Sequence, residues 1–270
     1  MLRALADERP AEHAALLEAE AEVANGDGRF WRVTAPGGAV SHLFGTYHDT
    51  ESVETVPGAV FETLDAARLL MVELTPDEVE RMEARIALDP DFSFEMNLGG
   101  LGQRLVEAEP DLVRAALAPR GLTPELAARL KPWMLFSLLG VPACQLQEIG
   151  RGEEVLDEIL TARAEQAEIP VEGLETYEDA LGSFGRIDEQ AAFELASDML
   201  RLAPREEDIR RTMIGLYGEG RTGGIAAFST WVVTELAGRR SAEAERLSRR
   251  LDEHLVARRN RAWMDTLAPP

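Results

Sequence analysis

Leu43-Phe44-Gly45-Thr46-Tyr47-His48 is an apolar run that closes on a Gly-Thr-aromatic-His sequence, and Leu69-Leu70-Met71-Val72-Glu73-Leu74 is a second apolar run that closes on an acid. Residues 39–46 and 69–74 read as strands, and the stretch from Gly58 to Arg68 between them has helical spacing. Strand, helix, strand is a β-α-β unit, whose parallel strands send their carboxyl ends to one edge of the sheet. The pattern therefore predicts that His48 and Glu73 meet at that edge, where imidazole and carboxylate share a divalent ion. A solvated loop histidine and a glutamate that merely opens the next helix would leave the same text, and the residues alone do not choose between the two.

Working outward, a helix is expected from Pro10 to Val23. Arg29–Val33 then pairs with the His48 strand as a hairpin through Pro36-Gly37-Gly38. Thr75-Pro76-Asp77-Glu78 has the cap, first-turn proline and third-position acid of a helix start, so a helix follows to about Leu88. Residues 91–140 carry no strand signal and read as a helical lobe. Gly99-Gly100-Leu101-Gly102 lacks the spacing and the preceding strand of a dinucleotide loop, so it is read as a flexible turn, and no nucleotide cofactor is expected. Further helices are expected over 152–166, 188–202 and 242–267. Glu175 stands at the end of the strand-like Pro170-Val171-Glu172-Gly173-Leu174, which makes that glutamate a third candidate for the sheet edge, although Glu175-Thr176 serves equally as a helix start. The expected fold class is α/β: a central mixed sheet, with strands at Phe44, Val72 and Val171 side by side, flanked by helices and carrying the helical lobe within one domain of 270 residues.

Charge narrows the function classes. With 49 acidic against 28 basic residues the net charge is −21, so nucleic acid or an anionic membrane surface is a poor partner. No run approaches the eighteen or so apolar residues of a membrane helix. Cys144 is the sole cysteine, which rules out an intrachain disulfide, and Gln145 and Gln147 beside it are not bases that would activate a thiol. There are four histidines. His42 precedes His48 by six positions on one strand, roughly 20 Å away at about 3.3 Å per residue, so the two are not a ligand pair. His13 and His254 lie in acidic helical stretches and read as solvated.

Gly45-Thr46-Tyr47-His48, Val72-Glu73, Leu130-Lys131-Pro132-Trp133, the segment Ile169 to Thr176 with Glu189-Gln190, and Arg259-Asn260-Arg261-Ala262-Trp263 stand in the order and rough spacing of the TraB/GumN family, which this chain resembles over nearly its whole length. That family is similar to Tiki-type metal-dependent proteases and to erythromycin-esterase-like and ChaN-like proteins, marked by two Gly-x-x-His motifs and an acid. The resemblance implies a metal-dependent hydrolase acting on peptide bonds, with His48 and Glu73 as metal ligands and Mn, Co or Zn as the ion. Glu73, Glu175 and Arg259 are the implied catalytic groups, Arg259 facing the site and meeting an anionic group or Glu175, although a structural salt bridge explains the same arginine at least as well.

The second Gly-x-x-His is not found before Pro270, so the expectation is of a chain missing its leader and clipped at its far end, impaired as an enzyme and prone to self-association. Relatives of this kind are commonly exported or envelope-associated. The alternative is a non-catalytic protein of the same fold that binds a peptide or an envelope partner.

Overall fold

The computed structural model describes residues 1–95 and 99–267, and helices carry most of them. The chain forms two compact units. The first comprises Met1–Leu70, Gln147–Pro170 and Arg205–Glu235; the second comprises Met71–Leu146, Val171–Pro204 and Leu236–Pro270.

In the first unit β1 (Phe30–Thr34) and β2 (Val40–Phe44) form the expected hairpin, antiparallel and in register from Phe30 opposite Phe44 to Thr34 opposite Val40. The Pro10–Ala21 helix crosses the Thr222–Trp231 helix closely because glycine stands at the crossing. A Cβ on Gly223 would lie 2.9 Å from the Glu20 carbonyl oxygen, and one on Gly224 would meet the Glu20 carboxylate. That carboxylate is gripped by Arg221, whose Nε donates to it at 2.8 Å and whose Nη2 donates at 2.6 Å. Leu156, Leu160 and Ala164 make the buried face of the Leu156–Gln166 helix, and Leu216, Tyr217 and Phe228 are buried with little or no exposure. Each buried leucine or phenylalanine among them contributes roughly 1.5–3 kcal/mol on leaving water.

β3 (Leu70–Val72), whose Met71 and Val72 belong to the second unit, pairs with β4 (Val171–Gly173) of that unit. The Leu174 amide donates to the Val72 carbonyl at 2.8 Å and the Glu175 amide to the Glu73 carbonyl at 3.2 Å, so the ladder advances in the same direction on both strands and brings both strand ends together. The unit's apolar core is mostly helical, built on Leu105, Leu117, Leu135 and Phe136 with Ala191, Ala196 and Leu200. The Thr75 hydroxyl accepts from the Glu78 amide and starts the Pro76–Leu88 helix, as its sequence predicts.

The architecture is mixed α/β with helices dominant, and the single central sheet expected from the three apolar runs is not what the described strands form. They make two separate pairs: the strand with Phe44 pairs with that of Phe30, and the strands with Val72 and Val171 pair with each other. Residues 91–140 are helical where described, with an isolated bridge between Phe94 and Leu130. They share a core with Ile187, Ala191 and Leu247 of the same unit. The glycine stretch is more ordered than a flexible turn: Gly100 caps the Leu101–Ala108 helix, and the Gly99 amide donates to Gln103. The long helix expected over 242–267 is helical throughout, Ser241–Asp252 continuing through a π-helical stretch at Glu253–Ala257 into Arg258–Leu267. The last residues of the sequence, Ala268 to Pro270, lie outside the described residues. Among the described residues no helix is long and apolar enough to cross a membrane.

Candidate functional site

His48 lies in the irregular segment that follows β2, with its side chain 60 % exposed, and its Nδ1 is 2.9 Å from Oδ2 of Asp157. Asp157 is the second residue of the Leu156–Gln166 helix, where the unpaired amides of a helix start favour a carboxylate. Its Oδ1 accepts from the Thr46 hydroxyl at 2.8 Å. The His48 approach has the distance of a charge pair, and among the described residues Oδ2 has no well-aligned hydrogen-bond donor. Loose alignment of this kind is common in catalytic groups before substrate binds. Burial pushes the Asp157 carboxyl up, but His48 and Thr46 together outweigh it and hold the group below its ordinary range. Asp157 is therefore an anion behind the imidazole at neutral pH.

The segment bearing His48 is held by side chains along its length. The Tyr217 hydroxyl donates to the Gly45 carbonyl at 2.8 Å, and the Ser52 hydroxyl bridges the Tyr47 and Asp49 carbonyls at 2.9 and 2.7 Å. Asp49, next to His48, is almost fully buried and is gripped from both sides of its carboxylate by buried Arg210, Nε to Oδ2 at 2.7 Å and Nη2 to Oδ1 at 2.9 Å. The same guanidinium reaches the Thr50 hydroxyl at 3.0 Å and both oxygens of Glu148 at 3.0 and 2.6 Å. Burial, with the nearby Asp49 charge, pushes the Tyr47 phenol up to about 12, so Tyr47 stays a neutral phenol and is no competing base beside His48.

Glu73, Glu175 and Arg259 converge in the second unit. Glu73 and Glu175 follow β3 and β4, and the Arg258–Leu267 helix brings Arg259 to both. Arg259 Nη2 donates to Glu73 Oε2 at 2.9 Å and also to Glu175 Oε1, while its Nε donates to the two Glu175 oxygens at 3.0 and 3.2 Å. The guanidinium carbon stands 4.9 Å from the centre of the Trp263 ring. Burial alone would lower the Arg259 pKa, but Glu175 and Glu73 more than reverse that and raise it. Two strand-end carboxylates thus share one permanent cation.

Of the residues singled out in the sequence, Glu73, Glu175 and Arg259 are brought together, and His48 is placed on Asp157. Sequence reasoning missed Asp157 because it is one acid of four in Glu153-Glu154-Val155-Leu156-Asp157-Glu158, and nothing local marks it. Arg210 was missed for the same reason, lying in Ile209-Arg210-Arg211 on a helix that opens with three acids. His42 is in β2, stacked on Phe30 with ring centres 5.5 Å apart.

A family model described as TraB/PrgY/gumN matches residues 29–269. The chain belongs to the TraB/PrgY/gumN family. No curated protein and no solved structure matches it. In this family member the match begins at Arg29 and takes in His48, Glu73, Glu175 and Arg259, along with Asp157 and Arg210. Among the described residues no three His, Cys, Asp or Glu side chains gather to hold an ion, and Glu73 and Glu175 already face the Arg259 cation.

Proposed function

We propose that this TraB/PrgY/gumN protein is a hydrolase acting on peptide bonds, with His48 as its general base and Asp157 as the residue that orients it. The observation that carries the reading is the 2.9 Å approach of the His48 ring to Asp157, a carboxylate held ionised beside an exposed imidazole. An anion at Nδ1 keeps the proton on that nitrogen, and Nε2 becomes the acceptor. Nε2 then takes a proton from the attacking water, Asp157 stabilises the imidazolium so formed, and the same proton passes to the leaving amine, which restores the neutral ring. We assign Glu73, Glu175 and Arg259 to function as well, each to be tested by Glu→Gln or Arg→Met.

A second reading is a divalent ion on His48, with Mn, Co or Zn as candidates. It is favoured by the same contact, since metal-binding imidazoles ordinarily donate their other N–H to a carboxylate. The third is binding of a peptide without turnover.

One experiment separates the three. Cleavage of a mixed fluorogenic peptide library is measured for the wild type, His48→Ala and Asp157→Asn, each with and without a chelator. The general-base reading expects turnover that survives chelation, falls on the order of 10²–10⁴-fold in His48→Ala, and falls less in Asp157→Asn. Turnover lost on chelation and restored by Mn²⁺ establishes the metal reading. Saturable peptide binding with no turnover establishes the third, and turnover equal in wild type and His48→Ala ends the first.

A further inference from the structure

Arg210 is among the most buried charges of its unit, and the contacts described for it are all in the first unit. Burying a guanidinium is unfavourable unless its donors are met, and here they are met by groups that belong to the His48 segment or back it. The fork of Arg210 closes on Asp49, the residue that follows His48, and also takes the Thr50 hydroxyl after it. Glu148, on the Ala143–Gly150 helix, meets the same guanidinium with both oxygens and accepts from the Thr50 hydroxyl. The His48 side chain is itself exposed. The backbone from Gly45 to Ser52 carries it, and the two-point grip on Asp49 ties that backbone at the residue directly after His48. A planar fork on a planar carboxylate sets direction as well as distance, which an ammonium would not do.

We propose that Arg210 is a positioning residue for His48: by fixing Asp49 and Thr50 it sets the imidazole against Asp157, and through that contact it sets which ring nitrogen carries the proton. The proposal rests on His48 being the working base, as proposed above. Arg210 touches no reacting atom in this scheme. Its replacement by lysine keeps the charge and removes the fork, which separates geometry from electrostatics.

The test reads the ring directly. Long-range ¹H–¹⁵N spectra of the uniformly labelled full chain report the tautomer of each imidazole, and His48 is assigned by its loss in His48→Gln. In the wild type the Nδ1–H form should predominate. In Arg210→Lys the ratio of Nδ1–H to Nε2–H should fall by at least about threefold, toward the preference of a free imidazole, and peptide turnover should fall through kcat with KM nearly unchanged. Asp49→Asn, which keeps the shape and removes the charge, should move the ratio the same way. It decides the matter if Arg210→Lys does not fold. A folded Arg210→Lys or Asp49→Asn variant with the wild-type tautomer ratio overturns the proposal. A wild type already lacking the Nδ1–H form instead overturns the general-base reading, independently of Arg210.

Discussion

At the scale of single residues, the acids of this protein divide by what stands beside them. Glu148 and Asp157 both lie below their ordinary range, but for different reasons. Hydrogen bonding from Arg210 is the main cause at Glu148, whereas Asp157 reaches the same direction against a large opposing effect of burial. A carboxylate whose pKa is lower in the folded state contributes stability above its unfolded pKa, and that stability is lost as pH falls through the folded value. For Glu148 the loss begins below about 4.5, the ordinary glutamate value. Glu148→Gln should therefore be clearly destabilised at pH 7 in urea unfolding, with the deficit narrowing as pH falls to 4 and below. A deficit that does not change with pH would mean that shape, and not charge, is what Glu148 supplies. Asp198 contrasts with both: burial dominates there and raises its carboxyl even though Arg239 donates to both of its oxygens.

At the scale of elements, close crossings explain why some glycines cannot be replaced. Gly102, in the Leu101–Ala108 helix, faces the segment at Ala127 so closely that a Cβ would fall 2.0 Å from the Ala127 carbonyl oxygen. That neighbour is backbone and cannot turn aside. Gly102→Ala should destabilise the protein by about 3 kcal/mol or more, at the upper end of overpacking costs. The thermal midpoint should drop several degrees, while Gly215→Ala, where nothing stands within 4 Å, should leave it unchanged or slightly raised. Equal midpoints for the two variants would disprove the close approach. The same scale shows what the sequence made legible. Caps are local chemistry, so the start at Thr75 and the start of the Glu189–Leu202 helix at Asp188 could be read directly. The assembly of strands into sheets is not local. Phe44, Val72 and Val171 each sit in an apolar run that ends in a polar residue, and nothing in those runs says which strand pairs with which. Arg259 on Glu175 was legible because the motif around it stands out, whereas Asp157 on His48 depends on a contact across more than a hundred residues between two unremarkable stretches.

At the scale of the whole molecule, charge sets solution behaviour. An excess of twenty-one acidic charges makes the folded chain repel itself, and added salt screens that repulsion over roughly a Debye length, about 10 Å at 0.1 M. Many arginine–carboxylate pairs lie at the surface, among them Arg163 with Asp65 and Arg201 with Glu109, and salt weakens these too. Exposed pairs are each worth little, so repulsion should win, and the thermal midpoint should rise between about 20 and 200 mM sodium chloride. A midpoint that falls over that range would show that the ion pairs outweigh the net charge.

The path of the backbone through the two units bears on synthesis. The chain passes from one unit to the other five times, at residues 70, 146, 170, 204 and 235. During translation, neither unit can close when its first segment leaves the ribosome. The hairpin and the His48 segment emerge early, yet Arg210 and Tyr217, which fix that segment, follow more than 150 residues later. The apolar residues of both units must therefore wait exposed while most of the chain is made, the interval in which folding intermediates aggregate. Cutting the gene at residue 146, 170 or 204 would leave both units incomplete, whereas a cut at 70 or 235 leaves one unit whole; fragments from the three inner cuts should therefore be insoluble, and the intact chain should depend on chaperones for its yield.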